Sequence, residues 1–243
     1  MEAMLIRERY KVVRVLDVRE NYAFLEAVDI QDREKKACFL NLYEGPLLKA
    51  YLDSFDRLKD FPDYRGMFVS GETLVTVFGH CGGQAIDEVF LRGAEHDWKT
   101  RLNFAELFLN RALSLANLPP EISCAMLLSD NVRIDMAGAR VLLRGHILPM
   151  DGMNARELAL LAGDQVKKIL LPGFWSPMEE LEFVQKVDRG TCVSVVRLYA
   201  LWREYRDVIR EAYEKLEGMN PLSRFLRLLW KAVRWNIKKR KSG

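Results

Sequence analysis

Side chains that commonly bind metals or act as nucleophiles are few and scattered in this chain. The cysteines and histidines are Cys38, Cys81, Cys124, Cys192, His80, His96 and His146. No two cysteines form a CxxC pair, and the histidines share no zinc-ligand spacing with them. We therefore expect no metal ion, and we expect thiols that are ordinary residues of a protein in a reducing compartment.

A glycine-rich segment at residues 79–83 (GHCGG) has a composition that could bind phosphate through its backbone. It lacks the GKS or GKT ending that a phosphate-binding P-loop requires, so we interpret it as a linker. The hydrolase motif GxSxG and the zinc protease motif HExxH do not occur in the sequence either. The sequence therefore does not indicate hydrolytic chemistry of these kinds.

A more regular arrangement of polar and apolar residues lies in the stretch CAMLLSDNVRIDMAGARVLLRGH, from Cys124 to His146. Its apolar and β-branched residues predict two short strands, 132–135 and 140–144, on either side of a turn at Met136–Ala139. Asn131 comes directly before the first of these strands. The stretch therefore combines a buried apolar segment, an asparagine and a hairpin.

This spacing resembles, without a gap, the catalytic core of protein kinases, in which HRDLxxxN is followed by a hairpin and DFG. Asn131 falls on the kinase asparagine. The position of the catalytic base is Met126, and the lysine that follows it in kinases is Leu128. The DFG triplet is replaced by Arg144-Gly145-His146.

The N-terminal part of the chain continues the resemblance. Strands are predicted at 9–16, 22–29, 37–43, 66–70 and 73–79. The first two overlie the kinase glycine-rich loop, whose three glycine positions carry Asp17, Arg19 and Tyr22. Glycine allows the kinase backbone to close over phosphates, whereas these side chains would occupy that space. The third strand resembles the VAIK strand, with Asn41 in place of its lysine.

The resemblance implies an α+β, protein kinase-like fold. The implied parts are an N-lobe with a five-stranded antiparallel sheet (1–80), a mainly helical, shortened C-lobe (84–219) and a C-terminal helix (220–243). Helices are predicted at 46–60, at 97–117, at 154–171, from a capping box at Ser176 to a point before Gly190, and at 191–217.

Phosphoryl transfer depends on a lysine at the phosphates, an aspartate that holds magnesium and a carboxylate at the nucleophile. Here those positions carry Asn41, Arg144 and Met126. The resemblance therefore implies a pseudokinase: a protein without catalytic activity or cofactor that acts as a scaffold for another protein. We also expect an empty or collapsed cleft and an ion pair between Arg144 and Asp17. The alternative function is a nucleotide-binding sensor, or an atypical phosphotransferase, that uses Arg144 and Asn131.

The charge of the chain is unevenly distributed. The net charge is +3, yet the last 24 residues contain eight lysines and arginines and no acid, so the body is acidic. The tail predicts an amphipathic helix that could lie on an anionic membrane, with the alternative that it packs on the body. Nucleic acid is disfavoured as a partner. The candidate contact residues are Arg224, Arg227, Trp230, Lys231, Arg234, Trp235, Lys238, Lys239 and Arg240.

The N-terminus (MEAMLIRERYKVV) lacks the apolar region of a signal peptide, and no apolar run approaches 18 residues. We therefore expect a cytoplasmic protein that the tail could bring to the membrane surface. Some bacterial pseudokinase domains belong to membrane-bound secretion machines, and this resemblance would suit a basic amphipathic tail.

Overall fold

The computed structural model describes residues 4–91, 96–220, 222, 223, 226, 229 and 230. Its N-terminal part contains one antiparallel sheet and one helix. The strands are β1 (Leu5–Ile6), β2 (Tyr10–Arg19), β3 (Tyr22–Asp29), β4 (Ala37–Glu44), β5 (Tyr64–Ser70) and β6 (Thr73–Gly79), and the helix is α1 (Pro46–Asp56). The strands lie in the order β1, β2, β3, β4, β6, β5.

The N-lobe sheet has six strands, so the predicted number of five was wrong. The additional strand is β1, which pairs with Tyr10 and Lys11 of β2 after a turn at Arg7 and Glu8. A strand of two residues is too short to show the alternation of apolar and polar residues on which strand prediction depends. The other five strands lie where the sequence predicted them.

The sheet and α1 pack through aromatic side chains. Pro46 lies in the first turn of α1, where proline is favoured, and the helix buries Tyr51 and Phe55. These two residues are four positions apart and therefore lie on the same face of the helix. Their rings contact Tyr43 of β4 and Phe78 of β6. The helix thereby covers the sheet face that borders the C-lobe.

The C-terminal part contains a small three-stranded sheet and six helices within the described residues. The strands are β7 (Gln84–Ala85), β8 (Val132–Asp135) and β9 (Arg140–Leu143). The helices are α2 (Ile86–Val89), α3 (Trp98–Ser114), α4 (Pro120–Met126), α5 (Ala155–Leu170), α6 (Met178–Asp188) and α7 (Val195–Glu217). One core cluster runs from the N-lobe sheet through α3, α4 and β8 to α5 and α7.

Two helix starts differ from their predictions. Ser176 is not the N-cap of α6, because its hydroxyl accepts a hydrogen bond from the Gly173 backbone at 3.1 Å and Pro177 takes the N-cap position. Helix α7 starts at Val195 because Ser194 caps it, accepting from Arg197 N at 3.3 Å. Local hydrogen bonds thus decide where both helices begin.

Candidate functional site

The segment of residues 144–150, here called the interlobe segment, follows β9 and passes between the two lobes. It contains Arg144, Gly145 and His146, the three residues that the sequence resemblance aligns with the kinase DFG triplet. It lies so close to the N-lobe sheet that a Cβ added to Gly145 would be 2.6 Å from Phe78 Cδ1. Gly145 also has a φ of +24°. Only glycine allows the backbone to pass the sheet at this distance.

Asn41 binds the interlobe segment from the N-lobe. The residue is fully buried on β4, between β3 and β6. Its amide nitrogen donates to Gly145 O at 2.9 Å, and its amide oxygen accepts from Ile147 N at 2.9 Å. Tyr22 donates to the same oxygen at 2.8 Å, and Thr76 accepts from the nitrogen at 3.2 Å. Both donors and both acceptor sites of the Asn41 amide are therefore occupied.

Asn131 binds the same segment from the C-lobe. Its amide nitrogen donates to His146 O and to Ala125 O, both at 2.6 Å, and its oxygen accepts from His146 N at 3.1 Å. Its own carbonyl accepts from Arg144 N at 2.9 Å. Asn131 is 1% exposed. Two asparagines, one from each lobe, thus bind both groups of two consecutive peptide units, Gly145–His146 and His146–Ile147.

Two tyrosines that sequence reasoning missed extend these contacts. The Tyr43 hydroxyl donates to Ile147 O at 2.7 Å, and the Tyr51 hydroxyl accepts from Met150 N at 2.8 Å. Burial raises the pKa of both phenols, so they stay protonated and able to donate. A signal for Tyr43 was present in the sequence, because it lies two residues after Asn41 and therefore on the same face of β4.

His146 fills part of the cleft with its ring. The imidazole stacks on Phe24 with centroids 4.1 Å apart and also contacts Tyr22. Its Nε2 lies 3.5 Å from an Asp17 carboxylate oxygen. Burial nevertheless lowers the pKa of His146 to about 4, and the Asp17 carboxylate opposes this only in part. The imidazole is therefore neutral near pH 7.

The predicted ion pair between Arg144 and Asp17 is not formed. Asp17 instead pairs with Arg19, two residues further along the same strand face, at 3.1 Å. The Arg144 guanidinium lies 5.1 Å from the ring centroid of Phe24 and 5.0 Å from that of Phe39. A cation–π contact with these rings takes the place of the expected carboxylate.

Met126 ends α4 and is fully buried in the core cluster. Of the residues predicted to lie at the cleft, the structure brings Tyr22, Asn41 and Asn131 together around the interlobe segment. Asp17 and Arg19 form an ion pair beside His146, and Arg144 lies on aromatic rings. Met126 is connected to these residues through its chain neighbour Ala125, whose carbonyl accepts a hydrogen bond from the Asn131 amide.

A cavity of about 160 Å³ remains between the lobes next to Arg144. Its lining consists of Arg14, Leu16, Glu26, Phe39, His80, Cys81, Arg133 and Arg144. Sites for drug-sized ligands usually enclose about 300–1,000 Å³. This cavity is therefore smaller than a pocket of that class.

Of the tail residues predicted to contact a membrane or a partner, the structure describes Trp230, which is 61% exposed. The predictions for the remaining tail residues lie outside the described residues. Within the part of the chain that is described, every helix is too short or too polar to cross a bilayer.

Comparison with known proteins gives matches among solved structures. No family model and no curated protein matches the chain. It is similar to the crystal structure of a kinase domain, with 12% identity, a TM-score of 0.48 and coverage of 70% of this chain and 66% of that one. It is also similar to an apo pseudokinase (13% identity, TM-score 0.51, coverage 79% and 90%) and to Rad53 in complex with AMP-PNP (13%, 0.53, 83% and 60%).

Identities this low show the fold alone, and the chain has a protein kinase-like fold. The chain spans about two thirds of the kinase domain's length and 60% of the Rad53 structure's length.

Proposed function

We propose that this kinase-like chain is a pseudokinase: a non-catalytic scaffold whose lobes bind another protein. The observation that carries the proposal is the closure of the cleft. Asn41 and Asn131 hold residues 145–147 from opposite lobes through hydrogen bonds of 2.6–3.1 Å. These are the positions at which a kinase needs a lysine and a magnesium site.

The hydrogen bonds of the two asparagines also argue against phosphoryl transfer. A kinase lysine is a charge directed at phosphates, whereas the Asn41 amide is neutral and has every donor and acceptor engaged inside the protein. At the base position, the fully buried Met126 has no group that accepts a proton. A positioned general base alone contributes about 10²–10⁴ to rate, and this chain would lack it.

The aromatic content of the cleft argues against nucleotide binding. In the register of the resemblance, Phe24 and Phe39 take the positions of the valine of GxGxxGxV and the alanine of VAIK. Both rings are buried and contact each other; Phe24 also stacks on His146, and Arg144 lies over Phe39. The cavity that remains, about 160 Å³, is below the usual size of a site for a drug-sized ligand. A nucleotide would need these rings to move.

The alternative, a nucleotide sensor or atypical phosphotransferase that uses Arg144 and Asn131, has less support. Asn131 is buried, and both of its amide donors and its oxygen bind backbone groups. Its use as a magnesium ligand would break bonds to the interlobe segment. Magnesium also requires near-ideal octahedral oxygen ligation, commonly with one or two carboxylates.

A thermal-shift titration with ATP, with and without magnesium, tests the proposal. We expect ATP with magnesium to stabilise the chain no more than inorganic triphosphate does at equal ionic strength. We also expect no transfer of labelled γ-phosphate to the chain or to a generic substrate protein. Magnesium-dependent stabilisation by ATP, or phosphate transfer, would overturn the proposal. The scaffold function further requires that a partner from the source organism co-purifies equally well with and without ATP.

A second candidate function is peripheral membrane association through the tail. Leu222, Leu226 and Leu229 are 45–70% exposed and are spaced four and three residues apart, as on one face of a helix. An apolar helix face that the body leaves exposed favours insertion into a membrane surface over packing on the body. The eight basic residues of the tail suit anionic lipid headgroups.

Sedimentation with liposomes tests this second function. We expect the full chain to sediment with anionic vesicles, and we expect a chain that ends at Gly218 to remain in the supernatant. Zwitterionic vesicles are the control for charge, and high salt should weaken binding to the anionic ones. Equal sedimentation of both chains would exclude the tail as the membrane contact.

A further inference from the structure

The cavity between the lobes is lined by an excess of positive charge. Arg14, Arg133 and Arg144 all face it, and Glu26 is the carboxylate in its lining. Glu26 is already bound to Arg14, whose Nη2 donates to it at 3.0 Å. Burial raises the pKa of the Cys81 thiol to about 11, so this neighbour adds no negative charge near pH 7.

Arg144 is the lining residue that is most important for a ligand. Its guanidinium is held by the rings of Phe24 and Phe39 and, among the described residues, has no hydrogen-bond or ion-pair partner. The side chain is half-buried. Burial lowers the pKa of Arg144, and repulsion by Arg133, which exceeds the attraction by Asp130 or by Glu26, lowers it further. A guanidinium nevertheless stays charged in proteins.

Arg133 lines the same cavity and contributes further donors. Its Nη2 donates to Gly83 O at 2.9 Å, which fixes the side chain at the linker between the lobes. A guanidinium has five N–H groups, so this bond leaves others available. Two arginines that are held in place by rings and by a backbone carbonyl therefore border one space with little opposing charge.

We propose that this cavity binds a phosphate group through Arg133 and Arg144. Planar guanidinium groups bind phosphate oxygens through paired hydrogen bonds, and Arg144 has all of its donors available for this. The volume of about 160 Å³ suits a single tetrahedral oxyanion. The ligand would neutralise a half-buried charge for which the described residues provide no directly paired carboxylate.

The phosphate group could come from free orthophosphate or from a phosphorylated serine or threonine of a partner protein. Both sources present the same oxygens to the arginines. They differ in what extends from the cavity, because a phosphorylated side chain must also leave room for a peptide at the opening. The site does not depend on the scaffold function proposed above.

Isothermal titration calorimetry on the full chain tests the site. The probes are inorganic phosphate, a short phosphoserine peptide and the same peptide without phosphate, at ionic strength held constant with chloride. We expect phosphate to bind without magnesium and the unmodified peptide not to bind. Tighter binding of the phosphopeptide than of orthophosphate would identify a phosphoprotein as the source, and the reverse order would identify the free ion.

Substitution of each arginine tests whether Arg133 and Arg144 bind the phosphate. We expect Arg144→Gln and Arg133→Gln each to weaken phosphate binding by about tenfold or more, since each removes charge-assisted hydrogen bonds. The matched control is Arg140→Gln on the same hairpin, because Arg140 pairs with Asp135 at 2.7 Å outside the cavity. This control should bind phosphate like the wild type.

Two results would overturn the site: no phosphate binding by the wild-type chain, or unchanged binding in both cavity variants. If Arg144→Gln fails to fold, the result for Arg133→Gln tests the site, because Arg133 does not pack on Phe24 and Phe39 as Arg144 does and its hydrogen bond to Gly83 O is exposed. The two proposals fail separately. Magnesium-dependent ATP binding contradicts the scaffold function, whereas absence of phosphate binding contradicts this site.

Discussion

Asn41 lies at the position that the resemblance assigns to the kinase lysine, and the two side chains differ in the hydrogen bonds that they can form. A lysine offers donors and a charge, whereas an asparagine offers two donors and two acceptor sites without charge. In this chain the acceptor binds Tyr22 and Ile147 N, and the donors bind Thr76 and Gly145 O. The residue therefore connects three strands to the interlobe segment, which a lysine could not do.

Replacement of Asn41 by leucine tests this network. Leucine has the same branching and number of heavy atoms as asparagine, but the variant leaves Tyr22, Thr76 and two backbone groups without their Asn41 partner. We expect the free energy of unfolding in urea to fall by about 4 kcal/mol or more, because four groups lose a partner and each unsatisfied buried group costs about 1–3 kcal/mol. The control is Asn110→Leu on the exposed side of α3, which should change stability by about 0.5 kcal/mol or less. A loss in Asn41→Leu no larger than in the control contradicts the role.

His146 predicts a dependence of stability on pH. Its pKa is about 4 in the folded protein and returns to 6.5 on unfolding. Unfolding therefore takes up a proton between these values, and stability falls as the pH falls from 6.5 to 4. The difference in pKa corresponds to about 3 kcal/mol.

The substitution His146→Phe isolates this contribution. Phenylalanine keeps the stacking on Phe24 but cannot bind a proton. We expect the variant to gain stability relative to the wild type, by about 3 kcal/mol, as the pH is lowered from 6.5 to 4. Urea unfolding at a series of pH values measures the difference. A difference that stays constant over this range would show that His146 does not control the acid dependence.

The positions of the site residues could be predicted, but most of their partners could not. The uninterrupted spacing from Met126 to His146 located Asn131 and Arg144 at the cleft. Charge alone suggested that Arg144 would pair with Asp17. The structure shows Arg144 on Phe24 and Phe39, because ring contacts depend on strand register and side-chain direction, which a single sequence does not report.

At the scale of elements, the predicted strands and helices were confirmed where apolar periodicity was strong. Helices α3 and α5 lie within a few residues of their predicted bounds. Prediction failed where only local contacts determine the bounds of an element, as at the two-residue strand β1 and at the start of α6. Helix α1 ends at Asp56 instead of residue 60, because the chain turns there towards Phe61.

The close approach of the interlobe segment to β6 gives a test at this scale. In Gly145→Ala the added methyl group would overlap the buried Phe78 ring. We expect a loss of stability of about 1–3 kcal/mol, the usual cost of overpacking. Gly82→Ala is the control, since a Cβ there meets no atom within 4 Å.

A double-mutant cycle with Phe78→Ala distinguishes this overlap from backbone strain at Gly145. Removal of the ring makes room for the methyl group, so the two effects should not add. We expect a coupling energy of at least about 1 kcal/mol in urea unfolding experiments. Additive effects would mean that Phe78 is not what restricts position 145 to glycine.

At the scale of the whole molecule, the interlobe segment should make the two lobes unfold together. It is bound to the N-lobe by Asn41, Tyr43 and Tyr51 and to the C-lobe by Asn131. One core cluster also includes residues of both lobes. In a kinase-like fold with an open nucleotide cleft, such contacts across the lobes would be fewer.

The chain offers a separate probe for each lobe. All five tryptophans lie at or after residue 98, so their fluorescence reports on the C-lobe and tail. Cys38 is fully buried in β4, so its reaction with a maleimide, measured by peptide mass, reports on the N-lobe. In the wild type we expect the two urea midpoints to coincide, as in two-state unfolding. In Asn41→Leu we expect Cys38 to react at lower urea than the tryptophans unfold, because the N-lobe has lost its main contact with the segment. Separate midpoints already in the wild type would show that the interlobe segment does not couple the lobes.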